Sequence, residues 1–446
     1  KLPPRTATLP PHQSEAEQQK ILQRACAQSC DTDDQTTALK ADSPGTPAAD
    51  VQAAESDLAA FAKVLLIPVC TDSPATRSRL ALQDKGQFLA RQDRWADLSK
   101  MIRSADQQHR RTEGGLPEAD LLAYGARADV VNAVEHALNE GLALTERVTL
   151  DGIMSLERVR LEQARAPLLS TMVALTHLDI AWACRRTLAR KPHHRARASL
   201  TSRAEAHQSR ASALLSQVPD AARPFVAAAR CALYCGDTGS DLRQIADDYI
   251  GLIRLDPLNP RHLRALGTHL AEQGPSGLSA LELEARRVAA QVQDHWGAAG
   301  YTWVYFDALA RSDAACLGVD VAFFLDGVAD IVARAPSQER INLLSAYCSI
   351  ALKPGQDTPP AAAQVRAEIA EAAHWLIRNH LRELHPMIWA HAAAGFDNDA
   401  QVRSVRQFAE RGRKDALRAI ADLFRDEIEA GHRVVFTPDG PEVMAG

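Results

Sequence analysis

The stretch LDPLNPRHLRALGTHLAEQG, from Leu255 to Gly274, limits what this chain can fold into more than any other segment. Before it, Ile245, Tyr249, Leu252 and Leu255 recur at helical spacing. Asp256-Pro257 ends that run, because proline has no amide donor and crowds the preceding turn. Asn259 then offers a capping oxygen and Pro260 fills the first helical position. Leu263, Leu266 and Leu270 line one face until Gly274 supplies a left-handed exit. Helices joined this briefly must lie antiparallel. Gly267 falls on the leucine face, where the missing side chain lets a neighbouring backbone come close. The stretch predicts the corner of an αα-hairpin.

Most of the chain carries the same pattern. Segments rich in Ala and Leu dominate, alternating β-branched and aromatic residues are scarce, and the clearest periodicities are helical, so the expected class is all-α. Residues 1–56 read as an acidic, Pro-rich tail or loosely docked arm, with Asp31, Asp33, Asp34, Asp42 and Asp50. Helical hairpins are expected over 57–280, punctuated by Gly114–Pro117, Asp151-Gly152, Pro167, Lys191-Pro192 and Pro219. A second helical region is expected over 281–446. Its last helix, from about Val402 to Ala430, carries Val402, Val405, Phe408, Leu417, Ile420, Phe424 and Ile428 near one face. The end, RVVFTPDGPEVMAG, reads as a peripheral extended segment with a turn at Pro438–Gly440.

These residues resemble the tetratricopeptide repeat, whose period is about 34 residues. Leu266-Gly267, Leu270, Gly274 and Asp256-Pro257 fall on its signature positions, and LQDKGQFLARQDRWADLSKMI repeats the offsets with Gly86, Leu89, Asp93, Trp95, Leu98 and Ile102. ASALLSQVPD shows only the closing half of the motif. The resemblance implies an irregular αα-hairpin solenoid with a C-terminal helical subdomain. Such arrays present a concave face, made from the first helix of each hairpin, to a partner segment. On the hairpin beginning at Pro260 that face would carry Arg261, Arg264 and Thr268. The family's clamp for a C-terminal carboxylate is disfavoured, because Ala265 and Thr268 stand at other positions that clamp uses.

Charge and composition exclude some classes. A net charge of −5 rules out a globally basic nucleic-acid binder. No apolar run of the length of a membrane span is evident, since FAKVLLIPVC is short and broken at Pro68. A soluble protein is expected, with the cytoplasm as the default compartment, and a chain starting at Lys1 is compatible with a removed leader. Eight cysteines in 446 residues do not make a disulfide framework. The pairs Cys231/Cys235 and Cys26/Cys30 read as thiols one helical turn apart, of the kind that pack as small hydrophobes.

Chemistry-bearing motifs are missing. There is no GxSxG elbow, phosphate loop, GxGxxG turn or HExxH helix. Glu371/His374 and Glu429/His432 have the Glu-x-x-His spacing of two-metal bundles, but Gly431 would end the second helix and two further carboxylates are required. In HWLIRNHLRELHPMIWAH, His374 and His385 share a helical face, as do His380 and His391, each pair too far apart for one ion, and Pro386 interrupts the segment. No metal and no cofactor are therefore expected. The run Tyr301, Trp303, Tyr305 and Phe306 reads as core, or as the floor of a ligand pocket. Nine lysines against 42 arginines discount arginine clusters generally, but 185–210 is locally rich, with Arg185, Arg186, Arg190, Arg195 and Arg197. That segment is either an anion patch or a solvated loop. The expected function is a non-enzymatic scaffold for a protein or peptide partner. The alternatives are an enzyme or small-molecule or metal binder in the aromatic C-terminal region, and an anion-binding regulator using the basic segment.

Overall fold

The capping and stop residues set the helix ends largely as the sequence predicts. The computed structural model describes residues 61, 63–141, 147–163, 166–190, 196–219, 223–235, 241–395, 402 and 404–445. The 1–56 arm, with Cys26 and Cys30, lies outside them. A short strand, β1 (Leu65–Leu66), precedes α1 (Pro74–Arg91), α2 (Trp95–Gln107), α3 (Glu118–Glu140), α4 (Arg147–Glu162), α5 (Pro167–Arg190) and α6 (Arg197–Gln217). Next come α7 (Pro224–Cys231), α8 (Leu242–Leu255), α9 (Pro260–Glu272), α10 (Gly274–Gln291), α11 (Gln293–Trp296), α12 (Ala299–Arg311) and α13 (Asp313–Cys316). The chain continues through α14 (Val321–Arg334), α15 (Gln338–Ala346), α16 (Pro360–Ala370), α17 (Ala372–His380), α18 (Pro386–Ala394), α19 (Val405–Leu423) and α20 (Arg425–Glu429) to β2 (His432–Thr437) and β3 (Gly440–Ala445). The protein is mostly helical, as expected.

The chain divides into two compact units, one built from Leu82–Gln108 and the run from Glu118 through α6, the other from the flanking chain and His109–Pro117. In the first, Leu89, Leu98, Ile102, Leu122, Met172, Val173 and Leu214 are buried. Helix α5 is long and apolar enough to cross a membrane, which corrects the sequence reading that no run is. However, 72% of its apolar window is buried inside the fold, where α3 and α6 cover it.

In the second unit the Leu255–Gly274 corner is built as read. Asp241 caps α8 and Asn259 caps α9, each side chain accepting from a backbone amide two residues on, and Gly274 takes φ 68°. Asp256 holds the corner: its carboxylate, 3% exposed, pairs with Arg111 and accepts from Asn259 Nδ2 at 3.2 Å, with His262 Nε2 also at 3.2 Å. Trp296 Nε1 donates to Pro257 O at 2.8 Å. A proline stop that buries a carboxylate needs partners of this kind, since an unpaired charge would oppose burial. Leu263, Leu266 and Leu270 are each 0% exposed.

Two glycines do the same work in the two units. A Cβ on Gly86 would stand 2.0 Å from Leu122 O, and one on Gly267 would stand 1.7 Å from Val304 O. Both are backbone contacts between a hairpin's first helix and a helix further along, α1 with α3 and α9 with α12.

The carboxyl end is not peripheral, contrary to the sequence reading. β2 and β3 form an antiparallel hairpin closed at Thr437 and Gly440, and β1 joins β2 in parallel with Leu65 opposite Val434. Val434 and Phe436 are buried in the core of the second unit beside Phe424. On the helix before them, Phe408, Leu417 and Ile420 are buried, whereas Val405 is exposed because it stands in the first turn of α19.

Two substitutions test the packing. Gly267→Ala drives a methyl into a backbone carbonyl and is expected to destabilise the protein by roughly 3 kcal/mol or more, the upper end for overpacking. Leu266→Ala is expected to cost about 2–5 kcal/mol through a buried cavity. Urea denaturation of the two variants beside the wild type measures both; a glycine variant within 1 kcal/mol of wild type would mean that the helices separate easily there.

Candidate functional site

The residues singled out on α9 are not equally available. Arg261 is exposed and Thr268 half-buried. Arg264, expected on the open face, is instead turned into the packing of α9 on α12. Its Nε and NH2 donate to the two oxygens of Asp307 at 2.8 and 2.7 Å, and its guanidinium lies over Phe306 at 4.7 Å. Burial works against its charge, but the Asp307 carboxylate outweighs burial and raises the pKa. The reason is geometric: α9 meets α12 so closely at Gly267 that side chains flanking the leucine stripe lie between two helices.

The described parts of the basic segment are largely helical, at the end of α5 and along α6. Arg197 begins α6, and Arg203 and Arg210 on that helix are buried. Arg186 pairs with Glu135, Arg185 donates to Gln208 Oε1 at 3.3 Å, Arg190 is exposed, and Arg195 lies outside the described residues. Of the residues proposed as one anion patch, Arg185 and Arg186 thus make two separate contacts.

Arg210 belongs to a buried network that sequence patterning did not single out. Glu157 Oε1 accepts from Arg210 Nε at 2.7 Å and meets His177 Nε2 at 3.0 Å, while Oε2 accepts from Arg160 Nε at 2.9 Å and Arg210 NH2 at 2.9 Å. Across it, His177 Nδ1 lies 2.7 Å from His207 Nδ1, so one ring donates and the other must accept. Burial would raise the Glu157 carboxyl, but the bonds from Arg210 and His177 hold it well below the usual carboxylate range. Burial depresses both imidazoles; Glu157 pulls His177 partly back, and His177 and Arg203 push His207 further down. No spacing rule pairs α4, α5 and α6, so this cluster is legible only in three dimensions.

The aromatic run of α12 is core. Tyr301, Trp303, Tyr305 and Phe306 are each at most 1% exposed, and Phe306 stacks on Tyr347 with centroids 3.9 Å apart. They offer no open pocket floor. Cys231 is buried and Cys235 half-buried, both as free thiols.

The histidine-rich segment is not one helix. α17 ends at His380, residues 381–385 are non-helical, and α18 begins at Pro386. Leu384 forms a parallel bridge with Val69, with Cys70 N donating to Leu384 O and Leu384 N to Pro68 O, both at 2.8 Å. This pairing brings Cys70 beside Glu383 and His385, and their potential ligand atoms all lie within 4.8 Å of one another. His385 Nε2 is 2.9 Å from Glu383 Oε1. Asn342, fully buried on α15, clamps the segment: its Nδ2 donates to Glu383 O and its Oδ1 accepts from His385 N, each at 2.9 Å. Gln338 Oε1 accepts from Arg382 N at 2.9 Å. Burial, then Glu383, raises the Cys70 thiol, with Glu339 and Asp72 adding to the rise.

Among the described residues this is the one group of three or more such side chains arranged to hold an ion. The Glu-x-x-His pairs are not part of it. Glu371 and His374 are exposed, and Gly431, at φ 85°, separates Glu429 on α20 from His432 on β2. Of the residues weighed for metal in the sequence, only His385 takes part. Comparison of the chain with protein-family models, curated proteins and solved structures finds no match.

The buried histidines fix an expected pH dependence. The unfolded chain takes up protons at imidazoles near pH 6.5, whereas burial lowers the affinity of both folded rings for protons. Stability present at neutral pH is therefore lost as pH falls below about 6.5, at up to ~1.4 kcal/mol per pH unit for each ring. In the second unit His269, lowered to about 4 mainly by burial, contributes with the same sign. Glu157 adds its own loss only below about pH 4.5. The melting temperature is expected to fall between about pH 7 and pH 5, and His207→Gln to flatten that slope. Parallel slopes for the variant and wild type would show that the pair is not a source of the dependence.

Proposed function

We propose that this protein is a tetratricopeptide-like scaffold whose hairpins hold a segment of a partner protein on the exposed sides of their first helices. The observation that carries the reading is one close approach used twice. Gly86 and Gly267 both sit at the Leu-Gly type position of the motif, and the backbone each meets, at Leu122 and Val304, is about one 34-residue period further along. A helix pair whose spacing is set by a motif glycine leaves the opposite side of the first helix to solvent. There the chain keeps large side chains exposed: Phe88 on α1 at 51%, Tyr124 on α3 at 48%, with Arg261 exposed on α9. Exposed aromatics and arginines are the side chains that most often anchor protein partners. Arg264 is removed from the binding set by its pairing with Asp307.

Site-specific photo-crosslinking tests the assignment. Crosslinkers at Phe88 and Tyr124 in the first unit, and separately at Arg261 in the second, are expected to capture a partner, and one at Leu283, exposed on the second helix α10, to capture none. Phe88→Ala with Tyr124→Ala is expected to weaken binding by about 2 kcal/mol, the scale of an interface anchor. Arg264→Ala, by contrast, is expected to cost roughly 3 kcal/mol of stability by leaving Asp307 without its partner. If capture persists in the aromatic double variant and disappears when Arg190 and Arg197 are neutralised, the basic segment is the working surface and the first-helix assignment fails.

A further inference from the structure

We infer that Cys70, Glu383 and His385 form a binding site for a zinc-like divalent cation, with a fourth coordination position open to solvent. The inference is independent of the scaffold reading and reverses the expectation, drawn from the sequence, that no metal is bound.

Ligand chemistry is the first argument. One thiol, one imidazole and one carboxylate converge within 4.8 Å. A thiolate and an imidazole favour zinc over magnesium or calcium, which take oxygen donors. Three protein ligands with a place left for water or a further ligand is how accessible zinc sites are built. His385 is 9% exposed and Glu383 38% exposed at the side chain, with Cys70 half-buried, so the site has one sheltered wall and one open side.

Preorganisation is the second. The ligands stand on two adjacent extended segments held by backbone bonds between Cys70 and Leu384 and between Leu384 and Pro68. Behind them Asn342 uses both ends of its amide on Glu383 and His385, and also accepts from Trp389 Nε1 at 2.9 Å. Gln338 fixes Arg382 and, through Nε2, donates to His380 O at 2.9 Å. Outer bonds of this kind aim ligands and are characteristic of metal sites.

The charge of the donor set is the third. Glu383 places a carboxylate beside the thiol and the imidazole, and an incoming dication displaces the thiol proton to solvent as the sulfur–metal bond forms. Binding would also tie the segment after β1 to the segment before α18, which are far apart in the chain, and so stabilise the fold.

Cobalt(II) and zinc(II) added to the reduced full-length chain test the site. One equivalent of cobalt is expected to bind with a thiolate-to-metal charge-transfer band, zinc to displace it, and micromolar zinc to raise the melting temperature. Cys70→Ser is expected to abolish the band. Both Cys70→Ser and Glu383→Gln, each close to isosteric, should weaken zinc binding by roughly 100-fold or more, since outer-shell partners alone are worth about 10–100-fold. Circular dichroism of each apo variant separates lost binding from lost folding, and Cys235→Ser controls for another accessible thiol. Failure of the folded, reduced wild type to take up either ion overturns the inference. So does a band or stoichiometric binding that survives unchanged in Cys70→Ser and Glu383→Gln, which would place the ion elsewhere.

Discussion

In each unit, helices come together where glycine leaves no side chain between two backbones. At Gly267 the Val304 carbonyl occupies the volume a methyl would need, and at Gly86 the Leu122 carbonyl does. Backbones this close bury the flanking leucines completely, as at Leu263, Leu266 and Leu270. The same closeness decides the fate of polar neighbours. Arg264 is one turn from Gly267 and lies against α12, where Asp307 neutralises it. Van der Waals packing and charge pairing on α9 are thus consequences of one small residue.

A second constraint is the need to bond buried carboxylates and amides. The Asp256 corner, the Glu157 network and the Asn342 clamp each close a place where the fold takes a charged or amide side chain out of water. Asn342 makes bonds to Gln338 O, Glu383 O, His385 N and Trp389 Nε1, which holds an extended segment in place between two helices. That segment has no helix of its own to satisfy its amides, so a buried side chain does it. The by-product is rigid placement of Glu383 and His385 beside Cys70. Rigid polar placement of this sort is what a ligand site requires.

Much of the helical architecture is legible in the sequence because its signals are local. Asp241, Asn259, Ser312, Asp320, Ser337 and Ser404 each cap a helix whose side-chain partner is two or three residues away, and Pro260, Pro360 and Pro386 open helices. The leucine stripe of α9 could be read by its period. The break at Pro386 could be read too, but not that Leu384 just before it joins a bridge, since pairing with Pro68–Cys70 decides that. The carboxyl-terminal turn was readable as a turn, while its burial depended on β1, more than 350 residues away in the chain.

What the amino-acid sequence determined by itself was helix, stop and corner, since capping, proline geometry and glycine conformation act within a few residues. It also marked Gly267 as a place of close approach, though not what would approach. Only the tertiary structure decided which charged side chains stay available and which become internal. Arg261 and Arg264 look alike in the sequence, yet Arg261 is exposed and Arg264 is turned into the packing against α12. The structure alone joined Cys70 to Glu383 and His385, and Glu157 to His177, His207 and Arg210. Those groupings come from parallel strand pairing and helix packing between distant segments, and no local propensity encodes which distant residue a side chain will meet.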